Sequence, residues 1–263
     1  MIDQFIKEFD IYLLIIVLIL GFIGGLFDNS FGMGYGLLTP IFIILGFNLL
    51  VIVPTLLLAQ AMTGFSGTIF HSLNKNIDFR SRKNRETKIY FLFTITGIIG
   101  TVLAVIFAVT FSELFMLIYI GSMMIVVGFI VLLKIRLNGS WHSLYVISII
   151  AGFNKAISGG GYGPLVTNGQ LMSGSEVRES VGVTQFSEST ISIIGFLLYF
   201  ILNDFIQIML TIQLAIIMVL SGMFSAPIGA IIARYLSEKI ARTTVAWLSI
   251  TLGIITLLRI LLI

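Results

Sequence analysis

Cysteine is absent from the 263 residues, histidine occurs twice and proline four times. Without thiols the chain forms no disulfide, carries no thiolate nucleophile and builds no cysteine-ligated metal site. Charge is almost as scarce, with Asp, Glu, Lys and Arg at 10% against about 25% in soluble domains. Hydrophobic residues make up 58%. They gather in runs such as IYLLIIVLILGFIGGLF (11–27) and SELFMLIYIGSMMIVVGFIVLL (112–133). Such runs are near or above the roughly 18 apolar residues that mark a spanning helix. The chain is therefore expected to be an all-α polytopic membrane protein. The formal charge of +3 does not point to nucleic acid, because basic residues beside a membrane report orientation.

The flank of the first run, MIDQFIKEFD, carries Asp3, Glu8 and Asp10 against Lys7 and leads to no A-x-A cleavage pattern. It is expected to be a retained helix, not a signal peptide. Six of the 15 Lys and Arg fall in HSLNKNIDFRSRKNRETK (71–88). Arg178, the pair Lys134 and Arg136, and the group Arg234, Lys239 and Arg242 mark three more basic places. The positive-inside rule puts all four in the cytoplasm, and the Lys/Arg-free connections TFSE (110–113) and LNDF (202–205) outside. Segment 49–70 then runs inward while its counterpart 178–201 runs outward, which predicts two inverted-topology repeats.

Glycine spacing agrees. Gly25, Gly34 and Gly36 match Gly152, Gly161 and Gly163 at a separation of 127, and Gly46, Gln60 and Gly67 match Gly174, Glu188 and Gly195 at 128. The expected N-terminal repeat covers 1–137, with segments at about 11–27, 34–46, 49–70, 89–110 and 113–133. The C-terminal repeat covers 138–263, with segments at about 142–157, 162–173, 178–201, 206–233 and 243–262. In each, the second segment is too short to cross a bilayer and is expected to be a re-entrant half-helix after a Gly break, its free N–H groups and dipole suited to an anion. Close helix packing is the other use of such glycines.

Charge inside a membrane is costly, and Asp28, Lys155 and Glu188 fall there. Asp28 and Lys155 are 127 apart, so pseudo-symmetry brings them to one depth. Either they form a structural ion pair or Lys155 contacts substrate. Gln185, Glu188, Ser192 and Gly195 share one helix face, matched by Gln60, Gly64, Gly67 and His71. Glu188 is thus the candidate proton-coupling residue, the other possibility being a carboxyl hydrogen-bonded across helices. His71 and His142 are expected at the membrane interface.

FDNSFGMGYG (27–36), HSLNKNID (71–78), GGGYGPLVT (159–167) and VTQFSES (183–189) resemble the TauE/SafE sulfite exporter family. The resemblance is strongest over 21–80 and 150–200. It implies a transporter of small sulfur-containing anions such as sulfite or sulfonates, coupled to protons. Gln60 replaces a frequent carboxylate of that pattern, Lys155 a frequent acidic residue, and Tyr162 the more usual Trp.

The expected function is a secondary active transporter in the cytoplasmic membrane, its N-terminus outside, with a small anion, a coupling proton and the lipid bilayer as partners. No cofactor, metal or nucleic acid is expected. The backbone of Gly34–Gly36 and Gly160–Gly163 is expected to hold the anion, with Asn29, Tyr35, Gln60, Lys155, Ser158, Tyr162, Thr167 and Gln185 around it. An anion channel of the same architecture is one alternative. A rhomboid-like intramembrane serine protease is another, because GFSG (64–67) offers Ser66 as a nucleophile for His142.

Overall fold

The computed structural model describes residues 11–79, 84–133, 140–203 and 207–260, whose regular structure is entirely helical. Asp3, Lys7, Glu8, Asp10, Lys134, Arg136, Asp204 and positions 80–83 of the basic loop, which entered the orientation argument, lie outside the described residues. Helix α1 spans Ile11–Phe31, and a 3-10 turn at Tyr35–Leu37 leads into α2, Leu38–Ile44. Then come α3 (Leu49–Leu73), α4 (Arg85–Thr110) and α5 (Glu113–Leu132). The second half holds α6 (Trp141–Ser158), α7 (Tyr162–Met172), α8 (Val177–Leu202), α9 (Ile208–Tyr235) and α10 (Glu238–Ile260).

The helix ends follow local chemistry. The side chains of Asn48, Ser112 and Ser140 accept from N–H groups in the first turns of α3, α5 and α6, satisfying donors that a helix start leaves open. Left-handed glycines follow the ends of four helices. Gly32 after α1 and Gly159 after α6 both have φ +73°, and Gly46 after α2 and Gly174 after α7 both have φ +90°, a conformation that strains any side chain with a Cβ.

Six described helices are long and apolar enough to cross a membrane: α1, α3, α4, α5, α8 and α9. Helix α6 carries His142, Asn154 and Lys155 and falls short on hydropathy, and the described part of α10 includes the apolar stretch Ala246–Ile260. The expected segment 142–157 is thus helical but more polar than an ordinary span, and residues 243–260 of the expected 243–262 are helical. At 1.5 Å per residue, α7 reaches about 16 Å and α2 about 10 Å, well short of the ~30 Å hydrocarbon layer.

The halves interlock. Helix α1 packs chiefly on α9 and α6 on α4, while α5 pairs with α10 and α3 with α8. Small residues let the backbones touch, as is usual where lipid removes any hydrophobic drive between helices. A Cβ at Gly25 would lie 2.5 Å from Ser225 Oγ and 2.9 Å from Gly222 Cα. One at Gly152 would lie 2.2 Å from the carbonyl oxygen of Gly97. Gly25 and Gly152 are separated by 127, Gly97 and Ser225 by 128, so one close contact recurs in both halves at the spacing found in the sequence. Exposed Ile, Leu, Phe and Val on α1, α4, α5, α9 and α10 face outward, as lipid requires.

Candidate functional site at the crossing of two glycine breaks

The 3-10 turn and the start of α7 meet backbone to backbone. A Cβ on Gly36 would sit 2.3 Å from Gly160 Cα, and one on Gly163 would sit 1.4 Å from the carbonyl oxygen of Gly32. Only glycine permits this crossing. Beside it lies a narrow cavity of about 20 Å³, lined by Gly34, Gly36, Ser158, Gly160, Gly161, Gly163, Pro164 and Glu188, with Met33, Leu37, Met123, Met124, Val127 and Ser249 on the apolar side. That volume admits about one water-sized body. No side chain caps α7, so its first N–H groups are left open by helix geometry and the positive end of its dipole faces the cavity wall.

Asp28, Lys155 and Glu188 are each at most 2% exposed. Lys155 Nζ lies 2.8 Å from Glu188 Oε1 and donates to the carbonyl oxygen of Gly159 at 3.0 Å. The expected Asp28–Lys155 ion pair is therefore replaced by Lys155–Glu188. The reason is that Asp28 is already occupied. Its Oδ1 accepts from the Gly34 N–H at 2.9 Å, and its Oδ2 accepts from the amides of Gln60 at 2.5 Å and Gln185 at 2.8 Å. Such charge-assisted bonds are strong and leave Lys155 to the other carboxylate.

The remaining candidates divide into those at the cavity and those behind it. Gly34, Gly36, Ser158, Gly160, Gly161 and Gly163 line it, but the N–H of Gly34 is taken by Asp28 and that of Gly160 by Ser158 Oγ at 3.1 Å. Gln60 and Gln185 serve Asp28. Tyr162 donates to Ser187 Oγ at 3.0 Å, and Thr167 shares a hydrogen bond of 3.1 Å with Thr184. The Tyr35 ring is fully buried against Gly24 of α1 and Gly222 of α9. Asn29 donates to the Gly25 carbonyl at 2.8 Å. These residues build the frame and do not border the cavity.

His71 lies in the last turn of α3, covered by protein. It is fully buried, its Nε2 lies 3.0 Å from the Asn29 carbonyl oxygen, and its Nδ1 lies 3.0 Å from Asn76 Nδ2. An amide donating to Nδ1 leaves the ring proton on Nε2, so the neutral ring is fully bonded. Asn76 follows α3 and folds back over the ring, which is what removes it from the surface. His142 is exposed and borders a mostly apolar groove of about 640 Å³ between α5 and α6. Among the described residues no hydrogen bond joins it to Ser66, and the glycines of GFSG serve packing: a Cβ at Gly64 would meet Ser189 Oγ at 2.1 Å, and one at Gly67 would meet Asn29 Oδ1 at 1.6 Å.

The sequence argument missed Met33, Met123, Met124, Val127 and Ser249. The last four lie on α5 and α10, whose apolar residues carry no motif, and only the tertiary pairing of α5 with α10 brings them over the breaks.

With six helices of spanning length among the described residues and Asp28, Lys155 and Glu188 buried between them, the chain is a multi-pass membrane protein. The family comparison agrees in kind: the pattern of the family described as Sulfite exporter TauE/SafE matches residues 17–256. The chain belongs to that family, a family of membrane transporters. Comparison with curated proteins and with solved structures finds no match.

Proposed function

We propose that the protein is a secondary carrier that moves a small sulfur-containing anion, sulfite- or sulfonate-like, across the cytoplasmic membrane and couples that movement to protons through Glu188. The two halves act as inverted-topology repeats, and the recurrence of the Gly25 and Gly152 contacts supports this. Loop 71–88 faces the cytoplasm and the N-terminus the outside. The anion sits at the start of α7, against the open N–H groups of Gly161–Gly163 and beside Ser158.

The observation that carries the coupling is the order of groups. Glu188 borders the cavity and Lys155 stands behind it, 2.8 Å from the Glu188 carboxylate. An anion entering the cavity meets a negative carboxylate first. A proton on Glu188 removes that repulsion and frees the Lys155 ammonium to face the anion, so anion and proton bind together. The closeness of the cavity, with room for about one water-sized body, favours a carrier in a closed state over a continuous pore.

The test is uptake of sulfite, sulfate and simple sulfonates into proteoliposomes, with and without a pH gradient, for wild type and Glu188→Gln. Gradient-stimulated flux of one anion in the wild type, reduced to gradient-independent exchange in the variant, is the expected result. Flux that responds equally to the gradient in both proteins refutes the coupling role, and flux of none of these anions refutes the substrate class.

A further inference from the structure

We propose that the seam between α7 and α8 is the route by which the anion passes between the start of α7 and the side of the membrane that carries loop 71–88, with Gln170, Ser180 and Thr184 as its gate. This deepens the carrier reading, on which it rests, by giving the anion site a defined mouth.

Three observations lead there. Arg85, Glu86, Gln170, Ser175, Glu179 and Val183 border a pocket of about 280 Å³ at the loop 71–88 end of the bundle. Gln170, 1% exposed, is its floor, and a line of polar groups runs inward from there. Gln170 Nε2 donates to the Ser180 carbonyl oxygen at 3.2 Å and to Thr184 Oγ1 at 3.0 Å. Thr184 reaches Thr167 at 3.1 Å, and Thr167 Oγ1 lies 2.8 Å from where a Cβ on Gly32 would sit, at the glycine crossing. Along α8, Ser180, Thr184 and Glu188 recur every four positions and share one face. That face ends at the carboxylate bordering the anion cavity.

The corresponding seam in the other half is dry. At the separation of 128 that matches Gln60 with Glu188, Thr184 corresponds to Leu56, Ser180 to Ile52 and Gln170 to Phe42. All three are fully buried and belong to one apolar cluster. Apolar side chains therefore satisfy the packing of a half-helix on its neighbour, and the polar set between α7 and α8 answers to something else. Finally, Ser180 Oγ is buried with no hydrogen-bond partner among the described residues. Such a hydroxyl is costly unless water reaches it, and its chain neighbour Glu179 already borders the pocket.

In this structure the seam is closed by its own hydrogen bonds. Hydroxyl and amide groups exchange such bonds for bonds to water or to an anion oxygen at small net cost. Parting the Leu56 side would instead expose apolar surface. Of the two equivalent seams, the one between α7 and α8 is thus the one that wets, and an anion leaving the start of α7 meets the Thr184 hydroxyl and the Gln170 amide as donors.

The chain has no cysteine, so single-cysteine variants report without background. The full chain in membrane vesicles of each orientation is treated with the impermeant anionic reagent sulfonatoethyl methanethiosulfonate. Methanesulfonate or sulfate is added as the competing anion, because sulfite itself attacks the reagent. Ser175→Cys, at the pocket, identifies the side of loop 71–88. From that side Thr184→Cys and Ser180→Cys are expected to react about tenfold faster than Leu56→Cys and Ile52→Cys, and a competing anion is expected to slow Thr184→Cys. Reaction of Ser175→Cys with none at Thr184→Cys and Ser180→Cys overturns the route, as does Leu56→Cys reacting as fast as Thr184→Cys. If Thr184→Cys does not fold, Ser180→Cys, which exchanges oxygen for sulfur, decides. Fast reaction at Thr184→Cys that neither anion slows upholds the route and counts against the carrier reading, so the two failures are told apart.

Discussion

Replacing Gly160 by Ala places a methyl carbon 2.1 Å from Gly36 Cα, and replacing Gly36 by Ala places one 2.3 Å from Gly160 Cα. Carbon atoms in contact rest about 3.5–4.0 Å apart, so each variant needs about 1.5 Å of separation between two backbones. No rotamer change can relieve it, because neither obstructing atom belongs to a side chain. Overpacking costs about 1–3 kcal/mol, and the upper end applies here. At about 2–4 °C per kcal/mol for a chain of this order of size, Tm falls by about 6–12 °C. Gly169→Ala is the control within α7: its Cβ would meet Ile147 Cδ1 and Leu144 Cδ2 at an ordinary 3.4 Å. Helix propensity then gains about 1 kcal/mol, and Tm stays level or rises by about 2–4 °C. Thermal unfolding of the wild type and the three variants in detergent, with anion flux measured on each, separates the cases. A Gly36→Ala protein that melts within about 2 °C of wild type, or a Gly169→Ala protein that falls as far as Gly160→Ala, refutes the crossing as described.

Two other substitutions test the frame around the site. His71→Ala removes the partner of a buried Asn29 carbonyl oxygen and leaves a cavity, and is expected to cost about 2–4 kcal/mol in unfolding measurements; an unchanged Tm contradicts the bonded, buried ring. Ser66→Ala is expected to change stability by less than about 0.5 kcal/mol and to leave anion flux intact, while loss of flux in a folded Ser66→Ala protein would revive a role for that hydroxyl.

The helical membrane class was legible in the sequence because hydropathy and charge scarcity are properties of the chain alone. So was the membership of Glu188 in a buried polar face, since spacings of three and four residues place Gln185 and Glu188 together. The partner of Lys155 was not. The 127-residue spacing put Asp28 and Lys155 at equivalent positions, but equivalence under a repeat does not set which neighbour is nearer. Two glutamine amides and one backbone N–H from three different segments claim Asp28, and that competition exists only once the helices pack. The same limit hid Met123 and Ser249, whose approach to the breaks depends on the pairing of α5 with α10. Gly34 illustrates a subtler loss: its place at the site was evident, whereas the use of its N–H by Asp28 was not.

The interlocking of the halves has a consequence for synthesis. When the ribosome has delivered α1–α5, α1 lacks α9, α4 lacks α6 and α5 lacks α10, and Asp28 lacks the Gln185 amide. The first half therefore waits in the bilayer with its glycine faces and one carboxylate uncovered, and long-range pairing has to come late. The two halves of the chain are thus not independent folding units. Produced alone, the N-terminal half is expected to be cleared by membrane proteolysis, whereas co-production with the C-terminal half protects it, an outcome that pulse-chase labelling reads directly.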